Sequence, residues 1–246
     1  MNPGDVSQAL VFLRDNFVSI LEPDAIQIIS ALNTQVRLAM RASRGTQRGG
    51  GYTIQRDKPL RFIAADVNGY KLRPDIHCHV RWDGAGQPPS SRNLVIRIWS
   101  NQQGVMWREQ LDAPDLREDL HEALGRVMLR FHFDQHDSPT DGVVELTHPI
   151  HHMQVGGVAG DDELCWLHQS ITVPRFPYPP LDLILACELV CVNFFPDEYE
   201  RIRVHDIWKG AINASEQSLL RPYYEACHRH LSMRLPGSLW ERHCAP

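Results

Sequence analysis

Residues 126–157, RVMLRFHFDQHDSPTDGVVELTHPIHHMQVGG, read as two β-strands joined by an acidic turn. In the first, Val127, Leu129, Phe131 and Phe133 alternate with Arg130, His132, Asp134 and His136, so one face is apolar and the other carries ionisable groups. The second is harder to phase, because Pro149 cannot donate to a ladder and belongs at an edge or bulge. Either parity leaves at least one of His151 and His152 with the polar set. His121 lies upstream and His168 downstream, so 7 of the chain's 13 histidines fall between 121 and 168. That concentration marks a candidate site.

The flanking strands share this alternation. In DIHCHVRW (75–82), Ile76, Cys78, Val80 and Trp82 share a face opposite Asp75, His77, His79 and Arg81. LVIRIW (94–99) puts Leu94, Ile96 and Ile98 on the apolar side and Arg97 on the other. A further strand, LCWLHQSITV (164–173), sets Cys165, Leu167, Ile171 and Val173 against His168. If these strands are neighbours, one sheet face collects Asp75, His77, His79, Arg81, Arg97, Arg130, His132, Asp134, His136 and His168.

The ends are helical. Val6, Leu10, Leu13, Phe17 and Ile20 form one apolar stripe on a helix ending near Leu21, and Pro23 and Asp24 open a second carrying Ile28, Ile29, Leu32, Val36 and Met40. RGTQRGGG (44–51) reads as a flexible loop, because three consecutive glycines maximise backbone freedom. A short amphipathic helix is expected after Pro114. LDLILACELVCVNFF (181–195) is apolar nearly all round and predicts a buried helix stopped by Pro196, with Glu188 exposed at one edge or paired. The last helix, from about Ser215 to Met233, contains Pro222, which implies a kink or a fresh start. The order of elements predicts an α+β fold whose mostly antiparallel sheet is flanked by an N-terminal helical hairpin and C-terminal helices. The expected division is a helical arm (1–43), a Gly/Arg-rich basic loop (44–60) and an α+β domain (61–246).

Composition is that of an ordinary globular chain: 246 residues, 43% hydrophobic and 22% charged, with a net charge of −5. That balance argues against wholesale nucleic-acid binding, yet Arg37 to Arg61 holds seven basic residues against one acid, Asp57. The six cysteines are scattered without a C-x-x-C pair and MNPGDVSQAL is not a signal sequence, so reduced thiols and a cytoplasmic location are expected. The longest apolar run is broken by Glu188 and Asn193 and is too short to span a bilayer.

A face carrying both imidazoles and arginines suits phosphodiester chemistry. One His takes a proton from the nucleophile, another gives a proton to the leaving oxygen, and Arg130 or Arg97 neutralises the developing charge. With an RNA 2′-hydroxyl as nucleophile no metal is needed. The run H-x-D-x-H at His132, Asp134 and His136 offers a second route. It places three metal-ligand groups on one strand face, roughly 6–7 Å between alternate residues, and the cofactor it would accept is a divalent metal. The expected catalytic set is Arg130, His132, Asp134, His148 and His151, and the expected nucleic-acid contacts are Arg41, Arg44, Arg48 and Arg56.

The run H-P-x-H-H at 148–152, with P-x-x-x-P-x-P-P at 174–180 and N-F-F-P at 193–196, resembles an uncharacterised bacterial domain family. That family has an R-x-x-F-D-like strand, an H-P-x-x-H motif and an N-F-Y-P-like helix end. The stretch is also similar to small bacterial toxin-like proteins that pair an R-Y-D strand with a histidine-rich one. The resemblance covers about 126–200 and implies a prokaryotic accessory, toxin or antiviral defence context, with Arg130, Asp134, His148 and His151 at the matching positions. Phe131 to Phe133 departs from the tight arginine-aromatic-aspartate order. Ubiquitin-conjugating enzymes are set aside: they need asparagine after H-P and a cysteine soon after, where this chain has Ile150 and Cys165.

The expectation is a bacterial, nuclease-like protein acting on a phosphate-bearing substrate, nucleic acid foremost, through the histidine-rich face. The alternative is a non-catalytic subunit whose basic segment and aromatic residues Trp208, Tyr223, Tyr224 and Trp240 dock onto protein or nucleic acid.

Overall fold

A computed structural model describes residues 3–43, 50–82, 91–100, 126–135, 151–156 and 176–232. The 164–173 strand, the helix after Pro114, His136, His148 and Trp240 lie outside them. Helices α1 (Pro3–Asn16) and α2 (Ala25–Ser43) precede the strands. These are β1 (Gly50–Ile54), β2 (Leu60–Arg61), β3 (Ala65–Val67), β4 (Tyr70–Trp82), β5 (Ser91–Ser100), β6 (Arg126–Gln135), β7 (His151–Val155) and β8 (Phe176–Pro177). Helices α3 (Leu183–Phe194), α4 (Pro196–Ile202), α5 (Asp206–Ser215) and α6 (Arg221–Ser232) follow.

The sheet runs β1-β4-β5-β6-β7-β8, with β2 and β3 also pairing along β4, and every pairing is antiparallel. The fold is α+β, as the element order predicts. Alternation does the sorting. Ile54, Leu60, Ile76, Cys78, Val80, Leu94, Ile96, Ile98 and Phe133 join one buried cluster with residues of α1, α2, α3 and α5. Val95 and Trp99, on the other face of β5, are buried outside that cluster. The helices therefore cover one side of the sheet.

Helix α1 stops at Asn16, earlier than its stripe suggests. Phe17 and Ile20 stay buried in the turn beyond it, and the chain then extends to bridge Leu21 to Phe62, with Ile63 N–H donating to the Ile20 carbonyl. The hairpin is thereby tied to the sheet edge and shares its core. Gly50 and Gly51 are strand residues, not flexible loop. A Cβ on Gly51 would sit 2.4 Å from the Val80 carbonyl oxygen, and one on Gly50 2.8 Å from the Ala39 Cβ. Glycine here permits close approach of α2, β1 and β4.

Helix α3 is less buried than its composition implies, since Leu189 and Val192 face outward. Glu188 is paired rather than exposed: it accepts from Trp208 Nε1 at 2.6 Å and from the Tyr199 hydroxyl. Trp208, expected at a docking surface, is 1% exposed and stacks among Phe12 and Phe17. Pro222 marks a fresh start. The π-helical turn Glu216–Leu220 absorbs the irregularity and α6 begins at Arg221.

Candidate functional site

The strand order makes the polar face continuous. Register aligns three rows across it. Thr53, His79, Asn93, Asp134 and His152 form the first. His77, Val95, His132 and Gln154 form the second, and Arg61, Asp75, Arg97 and Arg130 the third. The face is wet at one edge and dry in the middle: His79 and Arg81 are exposed, whereas Asp75, Val95, Arg97 and His152 are buried.

Its centre is Asp134. Oδ1 lies 3.0 Å from His132 Nε2 and accepts from Asn93 Nδ2 at 2.8 Å, while Oδ2 lies 3.7 Å from His152 Nε2. Asn93 Nδ2 is also 2.8 Å from His132 Nε2. A protonated Nε2 donates to Asp134, and a bare Nε2 accepts from Asn93. These two bonds cannot coexist, so the location of one proton sets the pattern of the cluster. The carboxylate stands between two imidazoles, within hydrogen-bond distance of His132 and in Coulombic reach of His152.

The arginine row divides the two candidate cations. Asp75 accepts from Arg97 Nε at 2.8 Å and Nη2 at 2.9 Å, and from Trp99 Nε1 at 2.8 Å. Burial pushes the Asp75 carboxyl up, against the pull of Arg97. Arg97 also stacks on Trp99, 5.0 Å from the ring centre, and donates to the Arg56 carbonyl. It is a structural cation. Arg130 stands opposite it in register, two residues along β6 from His132.

Of the expected catalytic residues, the fold thus brings Arg130, His132 and Asp134 to one face. His151 points to the helix-covered side, because Gln135 is its register partner. His148 is not among the described residues. His152, left unassigned by the sequence, takes the place beside Asp134; Met153 on the apolar face was the signal for that parity. Among the described residues no group of three or more His, Cys, Asp or Glu side chains could hold a metal ion. The expected third ligand, His136, is outside the described residues. Of the basic segment, Arg56 is exposed, Arg41 lies on α2, and Arg44 and Arg48 are not described. No described helix is long and apolar enough to cross a membrane. A shallow cleft of about 250 Å³ lined by Asn16, Ser19, Glu198, Arg201, Ile202 and His205 includes none of the sheet-face residues.

No protein-family model, curated protein or solved structure matches the chain.

Proposed function

We propose that the polar sheet face is a phosphodiester-cleaving site acting on nucleic acid, with His132 and His152 as the acid–base pair, Asp134 between them, and Arg130 neutralising the phosphate. The observation behind it is the Asn93–His132–Asp134–His152 cluster one register row from Arg130. A single proton there has two competing settings, which suits a group that must give a proton up and take it back. Arg97 is committed to Asp75, so Arg130 carries the charge-stabilising role. Exposed Arg56, whose carbonyl accepts from Arg97, would add a cation of the basic segment to the substrate contact.

The test is hydrolysis of single-stranded RNA and DNA by the purified full-length protein, with and without chelator. His132→Ala and His152→Ala each lower the rate by about 10²–10⁴-fold, and Arg130→Ala does so with circular dichroism unchanged. Activity equal to wild type in both histidine variants sinks the proposal. Chelator resistance together with RNA preference supports the 2′-hydroxyl route; full loss with chelator assigns the site to a metal.

A further inference from the structure

The opposite side of the sheet carries a second polar row. Register aligns Tyr52, Val80, Arg92, Gln135 and His151 across β1, β4, β5, β6 and β7, under the helices. Strands lie roughly 4.8 Å apart, which is the spacing between successive members of the row. Tyr52, Arg92 and His151 are all buried. Tyr223 of α6 packs edge-on against His151, with ring centres 5.9 Å apart.

Arg92 is the unusual member. Its Nε donates to Gln135 Oε1 at 2.7 Å, while its buried Nη1 has no hydrogen-bond partner. No acid of the described residues makes an ion pair with it. Asp182 acts on it only through space, since Oδ1 accepts from the Leu185 amide at 3.0 Å and Oδ2 from the Ser215 hydroxyl at 2.8 Å. Burial pushes the guanidinium down to about 10, which leaves it cationic at neutral pH. A cation buried beside a neutral amide is costly unless an anion joins it.

We infer that Arg92, with Gln135 beside it and Tyr52 and His151 each two strands away in the same row, anchors a buried site for a small oxyanion, the phosphate or carboxylate group of a small molecule, on the helix-covered side of the sheet. The planar fork matches such a group in two-point fashion, and the Gln135 bond fixes its orientation. Tyr52, held at the head of α3 through the Leu183 backbone, lies across Val80 from it.

Calorimetric titration and thermal unfolding of the full chain with inorganic phosphate and with acetate, each against chloride at matched ionic strength, test this. One of the two anions is expected to bind saturably and raise the Tm. Phosphate binding without acetate binding identifies a phosphoryl ligand, and the reverse a carboxylate. Arg92→Met abolishes saturable binding without lowering the anion-free Tm, because it removes a buried cation that makes no ion pair with a described residue. Asp182→Asn keeps the helix cap, removes the opposing charge and tightens binding by roughly tenfold. Absence of saturable binding by both anions, or its survival in Arg92→Met, overturns the site. These residues face away from His132, so a failed nuclease assay leaves this result untouched.

Discussion

Asp75 is 1% exposed in the middle of the longest strand, yet two arms of Arg97 and the Trp99 indole converge on it. Such a pair adds little over apolar residues of equal size, but breaking it is costly, since the surviving charge stays buried. Asp75→Ala should therefore destabilise by about 3–5 kcal/mol in denaturant titration. Lys71→Ala, which breaks an exposed pair with Asp66, should cost under about 1 kcal/mol. Restoring part of the loss by adding Arg97→Met to Asp75→Ala would identify the stranded guanidinium as the cause; no recovery would refute it. A second residue-scale test is alkaline. Burial, reinforced by Glu188, pushes the Tyr199 hydroxyl up to about 12 from 10.0. The folded state then keeps a proton that the unfolded state releases, so this contribution is whole below pH 10 and lost as pH rises through about 12. Tyr199→Phe should flatten the fall of stability across that window, measured by denaturant midpoints at successive pH values.

At the scale of elements, strand β1 and the β3–β4 hairpin turn on glycine for different reasons. Gly51 has no room for a Cβ beside the Val80 carbonyl, and Gly51→Ala should cost about 1–3 kcal/mol through forced displacement. Gly69 has open space around it but a φ of +82°, following Asn68 at +53°, so Gly69→Ala is strained by conformation alone. A smaller loss, about 1 kcal/mol, is expected, with both variants compared to wild type by denaturant titration. The Asn-Gly turn was available as a hairpin signal in the sequence. The glycine run was not: proximity of α2 and β4 is a long-range fact, and locally the run reads as flexibility. The same asymmetry governs the site. Strict alternation made the β6 face legible, and its partners Asp75 and Arg97 with it. The choice of His152 over His151 rested on one apolar residue, Met153, because Pro149 interrupts the alternation that would otherwise have phased the strand. Asn93, the residue that bridges His132 and Asp134, became visible only through β5–β6 register.

For the molecule as a whole, the N-terminal helices contribute Val6, Leu10, Leu13, Ile29, Leu32 and Val36 to the cluster that also buries the sheet. Each such side chain is worth about 1.5–3 kcal/mol of burial, and together they match the whole net stability of a typical domain. Removing residues 1–43 should therefore abolish the cooperative thermal transition, rather than leave a folded remainder. A retained transition of the same steepness in the truncated chain would show that the sheet and C-terminal helices suffice.

Arg92 and Asn93, Asp134 and Gln135, and His151 and His152 are chain neighbours that face opposite sides of the sheet. Each strand therefore contributes one residue to the acid–base cluster and the next to the Arg92 row, separated by a single peptide unit. A backbone shift in β5, β6 or β7 would therefore be felt on both sides. If the proposed anion at Arg92 changes the affinity of a ligand at Asp134, thermodynamic reciprocity requires that ligand to change the affinity of the anion by the same factor.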